Sequence, residues 1–439
     1  MASPILHIKD AYYFEVPKFL WPSNREDKAD FPDVWVKLDP DFQLWEAEQL
    51  HGKLSQMTGD TPDWAELREQ YLEWQHDHAN FGKPLDVMLD EHASQAQSEF
   101  KVFVEADEAN VQKSFEEFVE DSAPFAWFTR KAGDESFGEQ WQTAKRESGD
   151  IAAYKALSQE WSSEKIDAYN RHLSGKILVP QPFGGKLRNL YEPESGFCVS
   201  KFMVVEVAVA LIMLFVFWRL GRKLSSGGAP RGKLTNLLES FLVYLRDHVA
   251  RPAIGEHDGD RFVPLLWTFF MFVLGCNLCG LLPWVGAPTG TFGVTTGLAL
   301  VTLVTGMVCG MRKFGPHGYF LNQVPSMDLP LILAIPIKPM ILVIEIAGLG
   351  IRHAVLAIRL LANMVAGHLV LLGIMGLAFG AVAAASFAGA PDWKWWLTAV
   401  ISVVASTLFS LLELLVAFLQ AYIFTFLSAL FIGAVIHHH

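Results

Sequence analysis

Arg359 is the residue in this chain whose chemistry most needs an explanation. It sits in the run IRHAVLAIRLLANMVAGHLVLLGIMGLAFGAV, Ile351 to Val382, where the nearest titratable neighbours on either side are His353 and His368. A guanidinium cannot practically lose its proton, so holding one in hydrocarbon costs several kcal/mol at least and is normally retained for function. On a helix turning about 100° per residue, Glu345 and Asn363 each fall within about 40° of Arg359 and Arg352 within about 20°, which makes one polar stripe. His368 projects about 180° around, into a different environment. On a later helix Glu413 and Gln420 are spaced to share a face. The polar groups form two sets at different depths, Glu345 in one and His368 with Glu413 in the other, with Arg359 between. Carboxylates and an imidazole in an apolar setting suit a proton relay, because each can change protonation near physiological pH once its pKa is tuned. The competing reading makes them packing ion pairs, such as Glu345 with Arg352, and the lone Arg359 between the two sets speaks against it.

The elements that must carry these residues are membrane helices. The chain has 439 residues, 51% of them hydrophobic, and a positive mean hydropathy. Most of the charged side chains lie before Lys201, and beyond it come apolar runs of roughly 20 residues or more, the length a hydrocarbon core demands. The fold class expected is an all-α polytopic membrane protein with about five crossing helices and an extramembrane helical N-terminal region. Phe202 to Trp218 is the first span, and the basic RLGRKLSSGGAPRGK after it marks the cytoplasmic or matrix side by the positive-inside rule. Leu234 to Val249 has mixed polarity and should lie at the interface. Phe262 to Leu282 crosses back, WVGAPTGTFG turns on the outer side, and Val294 to Met311 returns to the inside, ending in Arg312 and Lys313. Ile337 to about Ser386 would then be about 75 Å of helix against a hydrocarbon core of about 30 Å. Trp393 to Ile436 is similarly overlong, and only a short turn, AGAPDWK, joins the two. Such a hairpin must tilt or break, and a slanted one presents a broad face to a neighbour.

The N-terminal 200 residues should lie on the outer face. MASPILHIKDAYYFEVPKF has neither a basic start nor an apolar core, so no cleavable signal is expected and the first span directs insertion. His7 to Leu20 reads as a short extended segment that Pro22 ends, and Asp41 to Gly175 reads as helices rich in Trp, Phe and Tyr. No phosphate loop, zinc spacing or nucleophile elbow appears there, so a packed helical domain is expected in preference to an enzyme. The region is strongly acidic and gives the chain its net charge of −12, which disfavours nucleic acid as a partner. Of the four cysteines, Cys276 and Cys279 form a C-x-x-C inside an apolar run with no second ligand pair, so they are expected to be packing residues. No metal and no cofactor is implied.

The strings RLLANMVAGH and ELLVAFLQAYIFTFLSALF, with NLCGLLP and an outer turn containing APTG, resemble subunit a of the F-type ATP synthase over about Phe202 to Ile436. Residues 201–439 are accordingly taken as the membrane domain. The resemblance assigns Arg359 as the essential arginine, Glu345 as the carboxylate fourteen residues before it, His368 and Glu413 as a polar pair across two helices, and Gln420 as the glutamine facing the arginine. Asn363 is the further polar member of the arginine's stripe. Histidine on the first helix and glutamate on the second resembles mitochondrial and some bacterial members. The chain departs from the family where Gly293 and Val294 open the third span in place of Asn-Val. It departs again before the first span, where LHIKDAYYFEVPKF and LVPQPFGGKLRNLYEPESGFCVSKF resemble the family's outer leader but are separated by an insertion of roughly Ser23 to Lys176 that the resemblance does not explain.

The resemblance implies a stator subunit with two offset half-channels. Protons would pass His368 and Glu413 to a carboxylate on a ring of c subunits, and leave past Glu345 after the ring turns, with Arg359 blocking a direct leak. Its partners would be the c-ring, subunit b of the peripheral stalk, the rest of the synthase and the lipid bilayer, and it would bind no nucleotide itself. The absent presequence favours a bacterial inner membrane, an organelle inner membrane being the alternative, and the choice of H+ or Na+ stays open. Rival readings are a self-contained ion channel or secondary transporter, for which no internal repeat is found, and a structural anchor, which has no need of an intramembrane arginine.

Overall fold

The computed structural model describes Asp10 to Ile436 apart from residues 78–79, 81, 107–112, 123, 159, 226–231, 283–284, 323–330 and 389–392. The start of the leader, the turn expected between the two long helices, part of the basic loop after the first span and the terminal histidines lie outside the described residues. The rest falls into two compact units, one of Pro17–Gly175 with Pro182–Cys198 and the other of the remaining leader segments with Val199 onward.

The first unit is helical because its sequence supplies helix starts followed by apolar spacing. Asp39 accepts a hydrogen bond from the Asp41 amide to open α2 (Pro40–Thr58), with Gly59 at φ 74° closing it. Asp134, Asp150 and Ser162 open α7 (Glu135–Ser148), α8 (Ile151–Lys155) and α9 (Ser163–Leu173) in the same way. The core forms where α2, α3 (Trp64–His76), α4 (Leu85–Ala106) and α7 bring Leu50, Leu54, Leu67, Tyr71, Met88, Leu89 and Trp141 together. A small hairpin of β3 (Lys186–Leu187) and β4 (Pro193–Ser195) belongs to the same unit.

The second unit starts with β1 (Tyr13–Glu15), which pairs antiparallel with β2 (Lys176–Leu178), Tyr13 opposite Leu178 and Glu15 opposite Lys176. The chain thus leaves this unit and returns to it at adjacent points. Gln181 closes the next excursion, its amide donating to the Val179 and Val199 carbonyls and accepting from the Val199 amide. Then comes α10 (Lys201–Ser225).

Among the described residues five helices are long and apolar enough to cross a membrane: Lys201–Lys223, Glu256–Gly280, Phe292–Tyr319, Ile337–Ile374 and Trp396–Ile436. The mixed-polarity segment is α11 (Lys233–Leu245), which buries Leu238 and Leu245 on the helical core. It widens into one π turn at Arg246–Ala250 before α12 (Arg251–Ile254). Pro252 has no N–H to give to the carbonyl four residues back, which accounts for the irregularity. The centre of the bundle is α13 (Glu256–Gly280), whose Leu266, Trp267, Phe270, Val273 and Leu274 meet Leu356 and Leu360 of α15 (Leu331–Ala388) and Phe424, Ala429 and Ile432 of α16 (Trp393–Ile436). The third span runs past Met311 as α14 (Phe292–Asn322), with a break at Gly315, whose φ of 75° sits before Pro316.

Candidate functional site

The polar residues of the long hairpin meet three different environments. His368 and Glu413 are brought together, His368 Nδ1 lying 2.5 Å from Glu413 Oε1 with both side chains buried. The helices allow this because position 367 is glycine: a Cβ there would stand 2.9 Å from the same carboxylate oxygen. The other ring nitrogen, Nε2, is 3.2 Å from the carbonyl of Gly280 at the end of α13. A carbonyl can only accept, so Nε2 carries a hydrogen and donates it. The contact between Nδ1 and Oε1 then holds one proton, either on the carboxyl beside a neutral imidazole or on an imidazolium beside a carboxylate. Such a pair passes a proton with little rearrangement.

Arg359 is half-buried on α15, and among the described residues no hydrogen bond or ion pair reaches its guanidinium. Asn363, one turn on, is half-buried as well. Gln420 is buried, 8% exposed, on the face of α16 that also carries Glu413, and no hydrogen bond among the described residues joins it to Arg359. At the start of the stripe Arg352 Nη2 lies 3.2 Å from Glu345 Oε2, with side chains 50% and 38% exposed. The ion pair weighed from the sequence is therefore formed, on an open face.

Four further polar residues of the membrane unit have side-chain atoms shielded from solvent. Asn277, 1% exposed, donates from its side-chain nitrogen to the Ala417 carbonyl and accepts from the hydroxyl of the fully buried Thr289. Sequence reasoning quoted NLCGLLP and APTG without giving Asn277 or Thr289 a part, although an asparagine in an apolar run was the available signal. His353, 5% exposed, donates from Nδ1 to the Leu349 carbonyl and lies against Phe431 with ring centroids 4.8 Å apart, leaving Nε2 buried without a hydrogen-bond partner among the described residues. Glu206, inside the first span, was also passed over. Cys276 and Cys279 are free thiols, and among the described residues no group of His, Cys, Asp and Glu could hold a metal ion.

Helices of this length, with ionisable groups lodged among them, define a polytopic membrane protein whose interior charges are too costly to be incidental. Comparison with known proteins narrows the class. The family model described as ATP synthase A chain matches residues 203–433. ATP synthase subunit a of Chloroherpeton thalassium is 36% identical over 281 residues, 63% of this chain and 78% of that relative. The subunit a of Myxococcus xanthus is 36% identical over 244 residues, 55% of this chain and 75% of the relative. That of Chlorobium phaeobacteroides is 34% identical over 314 residues, 70% and 81% of the two chains. The chain belongs to this family, subunit a of the F-type ATP synthase, and so to the membrane sector through which ion transport is linked to ATP synthesis.

Proposed function

We propose that this subunit forms two offset half-channels against a ring of c subunits. Protons reach His368 and Glu413 from the outer side and are handed to a ring carboxylate. After the ring has turned, that carboxylate releases its proton to the inner side by the path that Glu345 flanks. Arg359 stands between the paths: its permanent charge favours the deprotonated ring carboxylate and repels a proton attempting to pass straight through, which ties transport to rotation. The observation that carries this reading is the buried His368 and Glu413 contact with Nε2 fixed by Gly280, since it holds one proton between an acid and a base on two facing helices. Gln420 and Asn363 line the approach to Arg359. The open face of α15, with Val343, Ile344, Ile351, Val355 and Ile358 exposed, suits packing against apolar ring helices. Subunit b and the peripheral stalk would hold the subunit still, in a bacterial inner membrane. By the positive-inside rule the basic Arg222 and Lys223 that end the first span, and Arg312 and Lys313 in the last part of the third, mark those ends as the inner ones. By the same rule the helical insertion, about residues 23–176, is an accessory domain on the outer face.

The deciding experiment is Arg359→Ala in the reconstituted synthase. Proton-driven ATP synthesis should fall to background while the complex still assembles, because a barrier charge is lost and no core volume. Near-normal synthesis would sink the proposal.

A further inference from the structure

We propose that Glu206 is a proton-relay residue at the outer mouth of the path that ends at His368 and Glu413. The proposal rests on the half-channel reading and extends it to the first span, which that reading leaves without a role.

Glu206 lies near the start of α10, within the stretch apolar enough to cross a membrane. A carboxylate at such a position is expensive and needs a partner or a purpose. Its Oε1 is shielded from solvent and has no hydrogen-bond partner among the described residues. What surrounds it is specific. The neighbouring Val205 and Val209 pack on Cys276 of α13, with Phe14 of β1 against the same cluster. A Cβ at Gly275 would come 2.8 Å from Val209 Cγ1, so α10 and α13 cross closely here. Glu206 acts electrostatically on Cys276, and Asp10, on the leader just before β1, acts on Glu206. Asp10 and Cys276 are thus the titratable groups that interact with Glu206, and Lys201, at the start of the same helix, is attracted in turn by Asp10 and Glu15.

Cys276 and Gly280 are one helical turn apart on one face of α13, about 6 Å along its axis. Gly280 is the residue whose carbonyl holds His368. Cys276, on which Glu206 acts and Val205 and Val209 pack, therefore lies about one turn of α13 from the residue that holds the histidine, and Asp10 acts on Glu206 from the leader. An unpartnered carboxyl oxygen at that point accepts a proton arriving from the outer solution. It returns to carboxylate when the proton moves on through water to the His368 and Glu413 pair. No other group changes its covalent state.

The test uses the whole reconstituted synthase and follows proton uptake from the outer side as outer pH is varied. Glu206→Gln should slow uptake several-fold, below the roughly 10²-fold typical of a general acid or base because water can partly bypass a mouth group. One titrating step should also vanish from the pH profile, and Glu206→Asp should restore both rate and step. A normal rate and profile in Glu206→Gln overturns the proposal, as does a slower rate with an unmoved profile that Asp does not rescue, which marks a structural role. If Glu206→Gln fails to assemble, Asp10→Asn decides: a shifted profile supports the relay, and a wild-type profile overturns it. Arg359→Ala measured alongside separates the two readings. Loss of synthesis there with normal Glu206→Gln removes only this inference, whereas normal synthesis in Arg359→Ala removes the half-channel reading and this inference with it.

Discussion

Buried ionisable side chains are treated in opposite ways in the two units. In the helical unit, Asp39 is 1% exposed and is held by Lys165 Nζ, the Tyr169 hydroxyl and the Asp41 amide. Lys28 donates to the carbonyls of Tyr154 and Leu157 and lies over the Tyr154 ring, and Asp90 accepts from both Trp141 Nε1 and Lys145 Nζ. These charges are anchored several times over, as structural charges must be when water is withdrawn. The membrane unit leaves Arg359 without a hydrogen bond among the described residues, gives buried Glu206 Oε1 and His353 Nε2 no partner, and lets His368 and Glu413 share one proton. Groups that must move a proton or face a passing carboxylate cannot be locked, and the contrast distinguishes charges that build from charges that work.

Exchanging residues in the membrane unit should have the largest effect. His368→Ala or Glu413→Ala should each cut proton flux by about 10² or more with the helices still assembled, since neither side chain belongs to the apolar cluster that joins α13, α15 and α16. The exchange His368→Glu with Glu413→His keeps one acid, one base and their contact, so it should recover more flux than either half of the exchange alone. A double-mutant cycle on flux should be non-additive. Strict additivity would mean that the two residues line separate paths, and the contrast between the units would lose its clearest member.

The converse change belongs in the helical unit. Asp39→Ala leaves Lys165 and the Tyr169 hydroxyl short of a buried acceptor, though Lys165 keeps Asp41. A cost of about 2–4 kcal/mol is expected, read as weakened protection of α2 and α9 in hydrogen exchange on the intact protein. Proton flux per assembled complex should not change. A fall in flux beyond the loss of assembled complex would show that this unit takes part in conduction and is not an accessory.

Much of this arrangement was legible in the sequence, for identifiable reasons. Arg359, His368 and Glu413 announce themselves because a charge in an apolar run is rare, and the bounds of α16 at Trp393 and Ile436 follow from hydropathy alone. The contact between His368 and Glu413 joins residues 45 apart in sequence, and family resemblance, not periodicity, paired them. Asn277, Thr289 and Glu206 escaped notice because their meaning lies in what α10, α13 and the outer turn bring near, which no local pattern encodes. The pairing of β1 with β2 was hidden for the same reason: the partners lie on either side of the inserted helices, and three residues of strand carry almost no signal of their own.

One carboxylate in the helical unit departs from its neighbours and gives the smallest test of the contrast. Glu46 of α2 has its pKa pushed up to about 7, first by burial and then by Asp86, with Lys37 and Arg188 opposing and Glu194 adding to the rise. Asp86 is itself raised, again first by burial. A carboxyl whose folded pKa lies above its unfolded value of 4.5 binds its proton more tightly in the native state. Its contribution to stability is therefore fully present below about 4.5 and is lost as pH rises through about 7. The helical unit should loosen, not tighten, on going from pH 5 to pH 8, by on the order of 1–2 kcal/mol once solvent screening of the half-buried side chain is allowed for. Glu46→Gln, which stays neutral, should remove most of that slope. Protection factors for the α2 amides of the intact protein, corrected for intrinsic exchange at each pH, measure it directly. A variant as pH-dependent as the parent would mean that Glu46 is charged and held like Asp39, a structural charge after all.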